Sequence, residues 1–354
     1  MNPELSHFAA RLRELIASPQ SAIGNQQFSA LALELFALQF KYNSVYQKIC
    51  MSRQRTPQTV EHWTQISAVP TAAFKELELT SLAPDERTAV FHSSGTTKQN
   101  PSRHFHNTES LAVYEASLWQ WFQHHFGDAN ETIFLTPNPK AASRSSLIHM
   151  FEIVRQKLAL PEFAFTGAID ADGSWQVDFT ATIQQIKLSC DTDKPLTLFG
   201  TAFSFVHLLD FLAENKLQFQ LPENSRVLET GGYKNRSRVL PKEELHGLIT
   251  ERLGVPRDNI ICEYGMSELS SQAYAESSVA FQFPPWARAQ IISPETGREV
   301  AEGETGLIRI FDLANVFSVA AIQTEDLGVR RGTGFEIVGR AQLSEPRGCS
   351  LMTA

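Results

Sequence analysis

The sequence has little cysteine and no long apolar run. Its four cysteines among 354 residues are widely scattered and include no C-x-x-C pair, a pattern that predicts neither a disulfide framework nor a zinc site. No stretch approaches the roughly 18 apolar residues that a membrane helix needs. The amino terminus, MNPELSHFAARLREL, carries charges where a signal peptide has its apolar core. We therefore expect a cytoplasmic protein without a membrane span.

Runs of basic residues are also absent. The chain has 31 Lys and Arg against 39 Asp and Glu, a formal net charge of -8, and no basic patch of the kind that binds nucleic acid. A phosphate-containing ligand is not excluded, because backbone N–H groups bind phosphates whatever the net charge. With 42% hydrophobic and 20% charged residues, the composition is that of an ordinary globular protein.

The order of patterns predicts four parts. Residues 1–60 show helical spacing, and residues 61–285 alternate short apolar runs with helical patterns, from TAVFHS to NIICEYG. Such alternation indicates βαβ units and a mostly parallel sheet. Residues 286–340 contain short runs separated by Gly turns, which predicts antiparallel β-structure. Residues 341–354 form a short tail that carries Cys349. The predicted class is α/β with a smaller antiparallel region.

The segment HSSGTTKQNPSRH (92–104) carries the strongest chemical signal. It follows a predicted strand and offers several hydroxyl and backbone N–H groups, which suits the phosphates of ATP. Lys98, Arg103 and His104 add positive charge. It lacks the G-x-x-x-x-G-K-[ST] pattern of a P-loop. A polar surface turn is an equally good interpretation of this segment alone.

Three further segments are each modest alone. ETGGYKNRSR (229–238) has two glycines after a strand, which permits close approach to a flat ligand or simply forms a turn. CEYGMSELS (262–270) places Glu268 where it either binds Mg²⁺ or begins a helix. QTEDLG (323–328) precedes Arg340, and these charges are either ribose ligands or solvated surface.

The order of these motifs resembles that of the adenylate-forming superfamily of acyl-CoA synthetases, luciferases and peptide-synthetase adenylation domains. The resemblance implies the fold of their amino-terminal domain, ATP and Mg²⁺ as ligands, and Glu268 as the metal-binding residue. Asp326 and Arg340 are fourteen residues apart, which agrees with the superfamily. The implied nucleotide-binding residues are Ser93, Ser94, Gly95, Thr96, Thr97, Gly231, Gly232, Tyr264, Gly265, Ser267, Asp326 and Arg340.

A closer resemblance is to the acyl-protein synthetases, the long-chain-fatty-acid–luciferin-component ligases of bacterial luminescence. It is carried by SSGTT…PSRH, SSLIHMFE, ETGGYKNRSR, EYGMSELSSQAY and SEPRGCSL. It implies that a fatty acid becomes an acyl-adenylate, moves to Cys349 as a thioester and then passes to an acyl reductase partner. Arg347 stands two residues before Cys349, and a nearby cation lowers a thiol's pKa. Cys190, in a segment that we interpret as a polar loop, is the rival.

The sequence departs from the superfamily after Arg340. We expect the chain to lack the large mobile carboxy-terminal domain and its catalytic lysine, so that Lys98, Arg103 or Lys234 supplies positive charge. Two other functions stay open: a coenzyme A ligase of the phenylacetate type, and a non-catalytic nucleotide-binding scaffold. Acyl chain length, final acceptor, partner identity and oligomeric state are not predicted.

Overall fold

The chain is described by a computed structural model over residues 2–18, 23–93, 100–127, 131–170, 174–232, 237–276 and 280–341. The helices are α1 Pro3–Ala17, α2 Asn25–Tyr42, α3 Ser44–Ser52, α4 Ala73–Glu76, α5 Thr108–Phe126, α6 Ser146–Lys157, α7 Phe179–Thr192, α8 Ala202–Glu214 and α9 Lys242–Leu253. The strands are β1 Val69–Pro70, β2 Ala89–His92, β3 Arg103–His106, β4 Glu131–Phe134, β5 Gly167–Ile169, β6 Trp175–Val177, β7 Leu196–Thr201, β8 Arg226–Thr230, β9 Ile260–Tyr264, β10 Ala273–Ala275, β11 Ala287–Ile292, β12 Thr305–Asp312, β13 Ala321–Arg331 and β14 Gly334–Arg340. The α/β class is confirmed.

The first sheet has the strand order β4-β7-β8-β9-β10. Strands β4, β7, β8 and β9 are parallel, and β10 adds antiparallel to β9. Strand β7 is buried along its whole length, as expected for a strand that is covered on both faces. A polar cap begins α8, which connects β7 and β8: the Thr201 side chain accepts a hydrogen bond from the Ser204 N–H. The predicted βαβ alternation is confirmed for these strands.

The second sheet is mainly antiparallel, with the order β11-β12-β13 and two strands that share the far edge of β13. Strand β14 pairs antiparallel with one part of β13, and β1 pairs parallel with another. Helices α1, α2 and α3 contribute buried residues to the same hydrophobic cluster as this sheet. The ring of Phe311 lies 5.9 Å from that of Phe28 and 5.8 Å from that of Trp63. The amino-terminal helices therefore cover the antiparallel sheet.

Two sequence interpretations are wrong in detail. TAVFHS does form β2, but β2 pairs antiparallel with β3, the next strand along the chain, rather than joining the parallel sheet. Cys190 lies in the last turn of α7 rather than in a loop. The buried residues Thr182, Ile186 and Ser189 recur at helical spacing there, but Thr and Ser weaken that signal in a sequence. No helix within the described ranges is long and apolar enough to cross a membrane.

Candidate active site

The base of the Ser/Thr-rich loop is fixed by reciprocal hydrogen bonds. The Ser93 N–H donates to the Ser102 carbonyl at 3.3 Å, and the Ser102 N–H donates to Ser93 Oγ at 2.9 Å. Ser93 and Ser102, which flank this segment, are therefore held together at the end of the β2–β3 pair. Five predicted site residues of this loop lie outside the described residues: Ser94, Gly95, Thr96, Thr97 and Lys98.

The start of β3 contacts the turn that follows β9. Ser102 Oγ lies 3.3 Å from Ser267 Oγ, and Ser267 Oγ donates to Glu268 Oε2 at 3.0 Å. His104 Nδ1 lies 2.9 Å from the Ser267 carbonyl oxygen. Since a carbonyl only accepts, Nδ1 carries the proton. Burial lowers the pKa of His104 to about 4, so this imidazole is neutral and fixes the Ser267 backbone. Two of the predicted motifs thus meet.

Glu268 meets the requirements for a magnesium ligand. Glu268 is only 5% exposed. Among the described residues, no Lys, Arg or His nitrogen lies within salt-bridge distance of its carboxylate. A buried carboxylate without a cation is costly, and Mg²⁺ is commonly held by one or two carboxylates together with substrate phosphates. The Asn315 side chain donates to the Glu268 carbonyl at 2.9 Å and holds the backbone in place.

The carboxyl ends of β8 and β9 form the second part of the site. Thr230 and Glu263 are paired across the two strands, and the Thr230 hydroxyl donates to Glu263 Oε2. Burial raises the pKa of Glu263 to about 7, and the carboxylate of Glu229 adds to the rise. Gly231 follows β8 with φ +66°, and no described heavy atom would lie within 4 Å of a Cβ added there. Gly232 is equally open.

Gly265 has a different reason to be glycine. A Cβ there would lie 2.3 Å from Glu263 Oε1, and Glu263 is itself held by its bond to Thr230. The side chain of Glu263 therefore occupies the space beside the backbone of Gly265. The tight turn after β9 depends on this missing side chain.

Tyr264, Asp326 and Arg340 form the third part. The Tyr264 hydroxyl donates to Asp326 Oδ2 at 2.8 Å, and Arg340 Nε lies 3.3 Å from Asp326 Oδ1. Asp326 and Arg340 face each other across the β13–β14 hairpin, which explains their spacing in the sequence. Thr324 Oγ1 accepts the Asp326 N–H at 3.1 Å and donates to the Ile308 carbonyl at 2.7 Å. The Thr-x-Asp motif thus fixes the aspartate from its own strand.

Arg103 is already partnered. Its Nη1 lies 3.4 Å from Glu78 Oε1, Arg87 lies 2.8 Å from the same carboxylate, and the guanidinium of Arg103 lies 5.7 Å from the centre of the Phe105 ring. Cys349 and Lys234 lie outside the described residues. Their roles, like those of all the predicted site residues, stay predictions.

Sequence reasoning missed the residues that support the motifs. Asp312, at the end of β12, accepts the N–H groups of Ser270 at 2.9 Å and Ser271 at 2.8 Å, and the Ser271 hydroxyl at 2.7 Å. It ties the second sheet to the segment that carries Glu268. The acid that ends the alternating run TGLIRIFD was the available signal, but only the fold shows which groups its carboxylate binds.

A family model described as "Acyl-protein synthetase, LuxE" matches residues 12–354. The chain belongs to this family. Two curated relatives of this acyl-protein synthetase are long-chain-fatty-acid–luciferin-component ligases. That of Aliivibrio fischeri is 25% identical over 342 residues, covering 92% of this chain and 87% of the relative. That of Vibrio harveyi is 26% identical over 332 residues, covering 89% and 84%. This acyl-protein synthetase is thus a ligase.

Solved structures show the same fold. An open conformation of 2-hydroxyisobutyryl-CoA ligase, in complex with an adenylate and CoA, aligns with TM-score 0.66 at 12% identity, covering 89% of the acyl-protein synthetase and 74% of that chain. ATP-bound MatB from Rhodopseudomonas palustris aligns with TM-score 0.51 at 16% identity, covering 73% and 49%. The adenylate-forming fold is therefore confirmed.

Proposed function

We propose that this acyl-protein synthetase uses ATP to activate a fatty acid as acyl-AMP and then transfers the acyl group to its own Cys349. The observation that carries the proposal is the family match over residues 12–354. The contacts that join the segment around Ser93 to Ser267 and Glu268 through Ser102 also support it. Free thiols at Cys50, Cys190 and Cys262 and the use of ATP agree with a cytoplasmic location.

The reaction has two balanced steps. A carboxylate oxygen of the acid attacks the α-phosphorus of ATP, and the bond from that phosphorus to the pyrophosphate oxygen breaks. The Cys349 thiolate then attacks the acyl carbon, the bond to AMP breaks, and the thiol proton goes to solvent. In this scheme Ser93 and the loop after it bind phosphates, Gly231 and Gly232 admit the adenine, and Asp326 and Arg340 hold the ribose.

Magnesium would neutralise charge on the leaving pyrophosphate. Glu268 is the residue that would hold it, with Ser267 orienting the carboxylate at 3.0 Å. Lys98 and Arg103 are the proposed sources of further positive charge. For Arg103, the bond to Glu78 means that ATP has to compete with a surface carboxylate that is itself shared with Arg87. We propose that the thioester is finally delivered to an acyl reductase partner.

The test follows the acyl group. The full chain is incubated with MgATP and radiolabelled fatty acids, and both pyrophosphate release and hydroxylamine-labile label on the protein are measured. Wild type and Cys190→Ser should release pyrophosphate and carry label, whereas Cys349→Ser should release pyrophosphate without holding label. Cys190 is the matched control because it is a free, partly exposed thiol.

Other outcomes would refute specific parts of the proposal. Label that survives in Cys349→Ser refutes that acceptor. Acyl-CoA formed on addition of coenzyme A, with no label on any variant, would make the protein a coenzyme A ligase, the activity named for one of the fold relatives. Nucleotide binding without pyrophosphate release would indicate a scaffold.

A further inference from the structure

Glu229, His246 and Cys262 form a compact group that the proposed reaction does not use; we call it the Cys–His–Glu cluster. Cys262 Sγ lies 3.4 Å from Glu229 Oε2 and 3.7 Å from His246 Nε2, and His246 Nε2 lies 3.8 Å from Glu229 Oε2. Across the part of the chain that the structure describes, no other group of three Cys, His, Asp or Glu side chains brings ligand atoms within 4.8 Å of one another.

The register of the parallel sheet builds the cluster. Glu229 of β8 and Cys262 of β9 are direct neighbours across the two strands. Two residues earlier on each strand, Val227 and Ile260 face the same way and share a hydrophobic cluster with residues of α9. Helix α9 therefore covers this face of the sheet, and His246, on the buried side of α9, meets the two strand residues.

The geometry excludes a catalytic triad. In a nucleophile–histidine–acid triad the nucleophile and the acid bond opposite nitrogens of the imidazole. Here the Cys262 thiol and the Glu229 carboxylate both face Nε2 of His246. One nitrogen carries at most one proton, so it cannot serve both groups. Three donor atoms that converge on one point instead resemble three corners of a metal coordination shell.

The distances fit zinc. Bond lengths of ~2.3 Å to sulfur, ~2.0 Å to imidazole nitrogen and ~2.1 Å to carboxylate oxygen, at tetrahedral angles, put ligand atoms about 3.3–3.6 Å apart. The three separations in the cluster, 3.4, 3.7 and 3.8 Å, require shifts of only a few tenths of an ångström. A thiolate and a carboxylate would also cancel the charge of a divalent ion, as a buried site requires.

The ligand types select the metal. Cys262 and His246 are 3% and 2% exposed, and a thiolate with an imidazole favours zinc-like transition metals over Mg²⁺ or Ca²⁺. The Lys242 ammonium is the positive charge nearest in effect to the Cys262 thiol, and it is the group that a cation has to displace. Lys242 is the first residue of α9 and is exposed, so it is free to turn outward and leave the fourth position to water.

The geometry points to a structural zinc-type metal site formed by Glu229, His246 and Cys262. The ion would fasten α9 to β8 and β9 at ligands that stand two residues before Gly231 and two residues before Tyr264. This inference rests on no part of the proposed acyl transfer, since it assigns the metal no chemical step.

Cobalt substitution tests the site directly. The full chain is stripped with a chelator, exchanged into non-thiol reductant and titrated with Co²⁺. We expect one equivalent to bind with a thiolate-to-cobalt charge-transfer absorption, and zinc to displace it. Cys262→Ser should lose the absorption. Cys50→Ser is the matched control, because Cys50 is a buried free thiol outside the cluster, and it should retain the absorption.

Thermal unfolding with and without zinc gives a second readout. Zinc should raise the Tm of wild type and of Lys242→Ala, with at least tenfold tighter binding in the latter because a competing charge is gone. Glu229→Gln and His246→Gln should weaken zinc binding at least tenfold. A folded wild-type apoprotein that shows neither the absorption nor a zinc-dependent Tm would overturn the inference. So would an absorption that survives in Cys262→Ser.

Discussion

At the scale of single residues, the missing side chain of Gly265 is a strong constraint on the site. Gly265→Ala places a methyl group 2.3 Å from Glu263 Oε1, and Glu263 cannot move without breaking its bond to Thr230. We expect a loss of about 1–3 kcal/mol in the free energy of unfolding. Urea denaturation measures it.

Gly232→Ala is the control for this effect. No heavy atom of the described ranges lies within 4 Å of its added Cβ, and its φ is not in the left-handed region. We expect its stability to stay within about 0.5 kcal/mol of wild type. Equal losses in the two variants would show that crowding against Glu263 is not the cause.

Two buried tyrosines give a matched pair of hydroxyl deletions. Tyr264 OH donates to Asp326 at 2.8 Å, whereas Tyr274 OH is buried without a hydrogen-bond partner among the described residues. Tyr264→Phe should cost ~1 kcal/mol of stability, and Tyr274→Phe should be neutral or stabilising, because an unsatisfied buried hydroxyl already carries its desolvation cost. Thermal unfolding of both variants compares them.

The same two tyrosine variants also test the proposed binding of ATP. Tyr264→Phe removes one of the hydrogen bonds that hold the Asp326 carboxylate. The KM for ATP, measured by pyrophosphate release, should therefore rise in this variant, whereas Tyr274→Phe should keep the wild-type KM. If both variants raise the KM equally, the Tyr264–Asp326 bond does not position the proposed ribose ligand.

At the scale of secondary-structure elements, Asp312 joins the two sheets. Its carboxylate accepts four hydrogen bonds, from the Ser270, Ser271 and Ala314 N–H groups and the Ser271 hydroxyl. In Asp312→Asn, an NH₂ group replaces one of the two oxygens and must face two of these donors. We expect a loss of about 2–4 kcal/mol and weaker Mg²⁺ dependence, because the segment after Glu268 is released.

Asp210→Asn controls for charge alone. Asp210 pairs with Arg238 at 2.8 Å on the surface, with both side chains more than two-fifths exposed, so its loss should cost less than about 1 kcal/mol. A similar denaturation midpoint for the two variants would mean that Asp312 does not join the sheets through these bonds.

Elements with strong periodicity were predictable from the sequence, and supporting contacts were not. The runs that become β7, β8 and β9, and the helices between them, follow from apolar patterning. Helix α7 was missed because its buried positions include Thr182 and Ser189. For β2, the apolar run predicted a strand, but it did not predict that the strand pairs with β3.

The same limit applies to the site. The order of the motifs predicted that Ser93, Ser267 and Asp326 contribute to one site, and it also indicated the family. The side chains that hold these motifs in place come from distant segments. Examples are His104, which bonds the Ser267 carbonyl, and Asn315, which bonds the Glu268 carbonyl. The Cys–His–Glu cluster was missed for the same reason: Cys262 has the pattern of an inert core residue until β8 and α9 are placed beside it.

At the scale of the whole molecule, both sheets contribute residues to the proposed site. The parallel sheet supplies Gly231 and Tyr264 at the carboxyl ends of its strands, where α/β folds bind ligands. The antiparallel sheet supplies Asp326 and Arg340. Tyr264, which donates to Asp326 at 2.8 Å, connects these two sets of predicted site residues directly.

Buried histidines should make the folded state sensitive to acid. Burial lowers the pKa of His104, His125 and His149 from 6.5 to about 4. The unfolded chain therefore binds more protons than the folded chain between these values, so stability is complete above about pH 6.5 and falls as the pH drops towards about 4. For His104, which is 3% exposed, the loss by about pH 5 is of order 2 kcal/mol.

His104→Asn separates this residue from the others. Its amide nitrogen replaces Nδ1 as the donor to the Ser267 carbonyl, but the side chain does not titrate. Between about pH 8 and pH 5 the variant should lose about 1–2 kcal/mol less than wild type in urea unfolding, because one proton-binding group of the unfolded chain is gone. Identical pH dependences would contradict the assignment of a buried neutral imidazole at His104, and would leave the acid sensitivity to the other buried histidines, His106, His125 and His149.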